Sequence, residues 1–461
     1  MRRSLLSALG LGFLAGACLT SGPALAEARP VQGHPVLLIS IDGLRPGDVL
    51  EAQQRGLHIP NLRRFLVEGT YAQGVTGVLP TLTYPSHTTL ITGVAPKTHG
   101  IVNNQTFDPT AINQDGWYWY ASDLKAKTLW DLAGAMGRTS GNVHWPVSVG
   151  ANITWNLPQI WRTGHSDDAK LVSALATPGL LPDLESAEGP YAPGKDEDVA
   201  ADETRGRFAI RLIERHHPDL LTVYLTGLDH TQHADGPGSP TAHAVLERID
   251  AIVGKLVAAE QAARPDAVIA VASDHGFASI SEVINPSQAL IDAGLIRLSP
   301  PDPLGRVTIT GWDAVVWASG GSFAVRLARD DDVLRARVRA LLATLKADPA
   351  NRIDRIIERA EVVRLGGNPD ADFYANLGEG MGVTGYLRPG LPLRFPSPYK
   401  GMHGYFPDDP RMASTFLIKG PGIAHARNLG QIDMRAIEPT LEAQFGGSNG
   451  TAEVPAVAVG E

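Results

Sequence analysis

The chain has 461 residues, 43% of them hydrophobic and 19% charged, with 40 Lys+Arg against 49 Asp+Glu. A net charge of −9 and no basic run exclude a nucleic-acid coat protein or a binder of anionic membranes. A single cysteine excludes a disulfide framework and a thiolate metal cluster.

Arg2 and Arg3 lead an apolar run from Leu5 to about Leu19, followed by Ala24-Leu25-Ala26. A positive start, a short apolar stretch and small residues at the end describe a cleavable export signal over residues 1–26. Gly10, Gly12 and Gly16 break the run, which argues against a stable membrane span. Ala15-Gly16-Ala17-Cys18 lacks the Leu of a lipoprotein site, so export to a bacterial periplasm is expected rather than a lipid anchor.

Four apolar runs then read as strands. Val36–Ile41 leads into Asp42-Gly43, and Leu220–Leu225 into Thr226-Gly227-Leu228-Asp229. Ala267–Ala272 leads into Ser273-Asp274-His275-Gly276, and Thr415–Ile418 into Lys419-Gly420. Continuous apolar runs of this length suit strands buried on both faces of a parallel sheet. Between them, Val245, Ile249, Ile252, Val253 and Leu256 mark one face of a helix over Ala242–Ala258. Strands alternating with helices predict a doubly wound, mostly parallel α/β sheet, whose ligands bind beyond the carboxyl ends of the strands.

Residues 30–284 are read as the first part of a catalytic domain, 285–400 as a smaller α/β cap insertion, and 401–445 as the domain's last part. Within the insertion, Ser322–Leu327 and Ile353–Val363 read as strands and Asp331–Lys346 as a helix. The tail 446–461 is small and polar and is expected to fray.

The strand ends carry residues able to hold two divalent ions. Asp229 and His233 are spaced to meet one ion from a helical turn, and adjacent Asp274 and His275 follow a strand. Asp42 follows the first strand, and His403 sits in the glycine-flanked turn Gly401-Met402-His403-Gly404. Each piece has a plainer reading, as a turn or a helix surface; their joint occurrence carries the weight. Thr83, in Pro80-Thr81-Leu82-Thr83-Tyr84-Pro85-Ser86-His87, opens a short helix, where backbone N–H groups and the helix dipole favour phosphate. Taken alone, that segment also reads as an ordinary proline-rich loop.

Together these pieces resemble the nucleotide pyrophosphatase/phosphodiesterase family of the alkaline phosphatase superfamily. Ile41-Asp42-Gly43-Leu44-Arg45-Pro46, the Thr83 segment, Thr98-His99-Gly100-Ile101-Val102-Asn103-Asn104, Asp229 to His233, Ser273 to Gly276 and Met402-His403-Gly404 carry the likeness, in the family's order. The resemblance implies an alkaline-phosphatase-like fold and two Zn2+ per chain. One zinc would be held by Asp42, Asp274 and His275 with Thr83 as nucleophile, the other by Asp229, His233 and His403. Asn104, helped by a backbone N–H near Thr83, would bond a phosphoryl oxygen. Two departures stand out: the family commonly has Asn at Ser86 and a polar residue at Leu82. His230 and His243 lie near His233 in sequence, and the Asp-x3-His spacing selects His233.

The implied reaction is hydrolysis of a phosphodiester or nucleotide anhydride through a covalent threonyl-phosphate. Tyr84, Trp117 and Tyr118 are candidates for the substrate pocket. The Trp117-Tyr118-Trp119-Tyr120 cluster suits a nucleobase, a choline headgroup, or packing of a long loop. A phosphomonoesterase of the superfamily often carries a Lys-x-Arg pair, which this chain lacks. A phosphonoacetate-type hydrolase and a non-catalytic zinc-binding protein remain open. The sulfatase signature is absent, and Asp370-x-Asp372 reads as a polar loop because Tyr374, Ala375 and Met381 occupy the calcium-loop positions.

Overall fold

The computed structural model describes residues 33–460 apart from 111, 113–115, 163–166, 193–195 and 388–389; the expected export signal lies outside the described residues. An eight-stranded sheet runs through the chain: β1 (Val36–Ile41), β2 (Thr70–Tyr71), β3 (Ser140–Val143), β4 (Trp155–Leu157), β5 (Leu220–Leu225), β6 (Val268–Ala272), β7 (Phe416–Lys419) and β8 (Arg427–Asn428). Its order is β8-β2-β7-β6-β1-β5-β3-β4. The strands from β6 to β4 pair in parallel, and β7 runs antiparallel to both of its neighbours.

Successive side chains of β1 enter opposite cores, as a strand's two-residue period requires. Leu37, Ile39 and Ile41 join one hydrophobic cluster; Val36 and Leu38 join the other. Burial on both faces explains the unbroken apolar runs. The register sets Ser40 opposite both Tyr224 and Ala272, so three central strands end nearly flush. Asp42, Asp229 and Asp274 come after those ends.

Helix α1 (Thr83–Thr92) is wholly buried although rich in β-branched residues. Two of its threonine hydroxyls are satisfied within the helix: Thr88 donates to the Tyr84 carbonyl at 2.8 Å and Thr92 to the Thr88 carbonyl at 2.7 Å. Helix α2 (Val199–His216) packs beside α4 (Pro240–Ala263), and α3 (Gly227–Asp235) follows β5 directly. The fourth helix outruns its expected length at both ends; at its start Ser239 caps it and Pro240 opens it.

The smaller layer holds an antiparallel sheet of Ala314–Ser319, Ser322–Leu327, Phe373–Leu377 and Ile353–Glu358, covered by the helix Asp332–Ala347. Its hydrophobic cluster already includes Ala278, Ile280 and Ile284, from a strand that pairs with Gly380–Val383, Arg394–Pro396 and Gly401–Met402. That packing starts ahead of residue 285. The stretch expected as one strand to Val363 turns at Glu358 into the helix Arg359–Arg364, where the Glu361–Arg364 pair suits a helical turn. Asp372 is buried and accepts from the Leu327 N–H and from Arg359, a structural rather than a surface role.

The tail does not fray as expected. Val459 is buried in the second core, its carbonyl accepts from the Ala424 N–H at 2.8 Å, and Ile423 bridges Gly460. Sheet-edge partners hold it where its own composition could not. Among the described residues no helix is long and apolar enough to cross a membrane.

Candidate active site

A cleft of about 620 Å³ opens over the carboxyl ends of β1 and β5. Asp42, Thr83, Asn104, Asp229, His233 and His403 line one end of it. Asp274 and His275 lie buried just beneath.

Three histidines are aimed by backbone. His233 Nδ1 meets the Gly401 carbonyl at 3.0 Å, His275 Nδ1 the Gly276 carbonyl at 3.1 Å, and His403 Nδ1 the Thr81 carbonyl at 3.1 Å. A carbonyl can only accept, so each Nδ1 carries the proton and each Nε2 turns a lone pair inward. There, His233 Nε2 is 3.4 Å and His403 Nε2 3.7 Å from Asp229. His275 Nε2 is 3.3 Å from Asp42 and 3.1 Å from Asp274. Asp229 thus stands between two groups able to hold an ion, with His233 and His403 on one side and Asp42 and His275 on the other.

The donor set fits two dications. Asp42 Oδ1, Asp229 Oδ1, Asp274 Oδ2 and His275 Nε2 are buried without a hydrogen-bond partner, a costly arrangement unless a cation meets them. Burial, then Asp229 and Asp274, push the Asp42 carboxyl well above its usual range; burial and Glu197 do the same to Asp229. Burial also pushes His403 down to about 3 and His275 well below its ordinary value. Acids that resist ionising beside imidazoles that resist protonation are what bound cations would relieve.

Local sequence forces this geometry. A Cβ on Gly401 would fall 2.4 Å from the Gln232 carbonyl oxygen. Gly404 has φ +83° and would set a Cβ 1.9 Å from the Ser319 oxygen. Gly43 N donates to Asp274 Oδ1 at 3.1 Å, tying the first strand end to the third. Tyr224 on β5 donates its hydroxyl to Asp42.

Thr83 is the first residue of α1, with 8% of its surface reachable from the cleft. His87 Nδ1 bonds the Thr83 carbonyl at 2.8 Å, and His87 Nε2 meets Ser40 Oγ at 2.8 Å. The Tyr84 N–H donates to Asn104 Oδ1 at 2.9 Å. That N–H is therefore engaged in holding Asn104, whose Nδ2 is left to donate. Ser86 Oγ is buried without a partner and does not reach the cleft.

The other end is aromatic. Tyr84 meets Trp117 edge-on at 5.2 Å between ring centres, and Trp117 meets Trp161 at 5.0 Å. Tyr118 does not line the cleft; it packs against the same cluster, where burial pushes its phenol up to about 12. Gln159, Trp161, Glu197, Tyr224, His230 and Tyr399 line the cleft without having been singled out for it. For Gln159 and Trp161 the available signal was their position beyond the carboxyl end of strand β4. No Lys or Arg lines the cleft among the described residues.

A family model described as type I phosphodiesterase / nucleotide pyrophosphatase matches residues 36–382. An uncharacterized pyrophosphatase/phosphodiesterase of Schizosaccharomyces pombe is 26% identical over 263 residues, 54% of this chain and 45% of that one. Human ectonucleotide pyrophosphatase/phosphodiesterase family member 1 is 26% identical over 231 residues, 48% of this chain and 21% of that one. The chain spans less than half the length of these curated relatives. The solved structure of human ectonucleotide pyrophosphatase / phosphodiesterase 5 shares the fold, with a TM-score of 0.63 at 21% identity over 90% of this chain and 95% of that one. Its murine counterpart, solved as an inactive variant in complex with AMP, aligns with a TM-score of 0.62 at 19% identity over 93% and 97%. With the match running through 347 residues, about three quarters of the sequence, the chain belongs to the type I phosphodiesterase / nucleotide pyrophosphatase family.

Proposed function

We propose that this protein is an exported two-zinc hydrolase of phosphodiester or nucleotide phosphoanhydride bonds, acting through a covalent threonyl-phosphate on Thr83. The observation that carries the reading is the set of partnerless buried ligand atoms, Asp42 Oδ1, Asp229 Oδ1, Asp274 Oδ2 and His275 Nε2, beside Thr83. Zinc ions held by Asp42, Asp274 and His275 and by Asp229, His233 and His403 would neutralise charge on the attacking and leaving oxygens. Thr83 Oγ forms a bond to phosphorus as the bond to the leaving alcohol breaks. Water then cleaves the Thr83 Oγ–P bond and restores the hydroxyl. Asn104 Nδ2, fixed by the Tyr84 N–H, donates to a non-bridging oxygen in both steps.

A lining without Lys or Arg favours the diester over the doubly charged monoester. The AMP bound by the murine relative supports a nucleotide arm seated on Tyr84, Trp117 and Trp161. Residues 1–26 support export.

Paired rates of the zinc-loaded protein on bis-p-nitrophenyl phosphate and p-nitrophenyl phosphate test the reading. Preference for the diester, lost in Thr83→Ala with both metals retained, is the expected result. Preference for the monoester would move the protein to the phosphatase branch. Silence on both with zinc bound would leave a phosphonate hydrolase or a binding protein.

A further inference from the structure

Several polar groups at the aromatic end of the cleft are already occupied by protein partners. Gln159 Oε1 accepts from the Tyr84 hydroxyl at 2.9 Å, and its Nε2 faces His144 at 3.3 Å. Thr226 Oγ1 accepts from Arg205 at 2.9 Å and donates to the Glu197 carbonyl at 3.2 Å. The Tyr224 hydroxyl serves Asp42. Glu197 differs: its half-buried carboxylate lines the cleft, yet among the described residues it has neither a hydrogen bond nor an ion pair.

Its field nonetheless reaches Tyr84, Asp229, His230 and His233, which places it between the aromatic wall and the metal cluster. The cation that acts on it most strongly is not free to answer it. Arg205 is fully buried and committed to Asp202, Thr226 and the Asp196 carbonyl. A carboxylate in the same cleft as electron-rich ring faces makes this end electronegative. An anionic phosphodiester gains nothing from such a wall. A substrate arm carrying a cationic nitrogen or an N–H group does.

We propose that Glu197 is a specificity-determining residue, seating a cationic or N–H-bearing nitrogen group of the substrate's alcohol against Tyr84, Trp117 and Trp161. The inference rests on the diesterase reading of the same cleft. Two sources share that chemistry, a quaternary ammonium headgroup and a nucleobase edge, and they respond differently to substitution. Glutamine keeps an acceptor for an N–H but removes the charge a quaternary ammonium needs.

The test measures kcat and KM of the zinc-loaded wild type, Glu197→Gln and Glu197→Ala on three chromogenic diesters. These are p-nitrophenyl phosphorylcholine, p-nitrophenyl thymidine 5′-phosphate, and bis-p-nitrophenyl phosphate, which has neither a cation nor an N–H. The expected result is a loss in kcat/KM of about tenfold on one of the first two, carried by KM, with bis-p-nitrophenyl phosphate changed less than about twofold. Loss in both variants on phosphorylcholine identifies the ammonium; loss in the alanine variant alone, on the thymidine ester, identifies the base. Equal losses on all three substrates, or none on either nitrogen-bearing one, would overturn the proposal while leaving the diesterase reading intact. A wild type silent on all three would instead remove the diesterase reading and this inference together. Zinc content and melting temperature matching wild type show that both variants are folded and loaded.

Discussion

The two ends of the cleft are held by different means. At the Asp/His end, flush parallel strands deliver three carboxylates to one edge and backbone carbonyls aim the three imidazoles. At the aromatic end, Tyr84, Trp117 and Trp161 come from three separate segments and are fixed mainly by one another's rings. Geometry that must survive to a few tenths of an ångström sits on the sheet; surfaces that select a substrate arm sit on its loops. Damage to the first end should abolish chemistry, and damage to the second should change which substrate is preferred.

The strongest test of that division is Thr83→Ala. It should lower kcat on bis-p-nitrophenyl phosphate by about 10^5-fold, as loss of a nucleophile does, with bound zinc unchanged. Residual turnover within tenfold of wild type would show that Thr83 is not the nucleophile. Gly404→Ala comes next. The added Cβ cannot fit beside the Ser319 oxygen, and the positive φ penalises any side chain. The turn carrying His403 must shift, costing about 2–3 kcal/mol of stability, loss of one zinc by metal analysis and about 10^2-fold in kcat. Full zinc occupancy at wild-type kcat would mean that this end tolerates displacement and that the contrast is false.

Trp161→Ala probes the other end. It should raise KM for a nucleotide diester by about 5- to 150-fold, the range of one lost stacking contact. Its kcat on bis-p-nitrophenyl phosphate and its zinc content should stay near wild type. A fall in kcat on both substrates would show that the aromatic end supports the chemistry as well as the choice of substrate.

The same contrast governs what could be read from the sequence. Asp42, Asp274 and His275 each follow an apolar run, so local pattern alone carries them to the carboxyl edge where the structure gathers them. Glu197 and Tyr399 have no such mark, and Trp161 only the end of the three-residue β4, which carries no apolar run. Their nearness to Tyr84 depends on how loops after different strands converge, which no window of sequence contains. Tyr118 shows the reverse: next to Trp117 in the chain, it turns away from the cleft. The strand ending at Glu358 and the anchored Val459 fall to a similar cause. The chain turns into a helix at Arg359 despite its β-branched residues in one case, and a neighbouring segment supplied partners in the other.

His99 marks the joint between the two ends, because the loop it anchors carries Asn104. Its ring is fully buried; the Ile101 N–H donates to Nδ1 at 3.1 Å, so Nε2 bears the proton and points to Thr89 Oγ1 at 3.1 Å. Burial pushes this imidazole down to about 3. In the unfolded chain it titrates near about 6.5. As pH falls, the unfolded state takes up a proton that the folded state refuses, so this contribution is complete above the unfolded value and is lost through that window toward about 3. Between about pH 7.5 and pH 6 the loss should be near 1 kcal/mol, read as a shift in urea midpoint. In His99→Gln the shift should shrink by that amount, because glutamine does not titrate; other groups, His233, His275 and His403 included, are common to both proteins and cancel. An unchanged slope would mean that the ring accepts a proton without disturbing the Ile101 contact. The loop holding Asn104 would then be yielding rather than fixed, and Asn104 would belong with the adaptable end of the cleft instead of the rigid one.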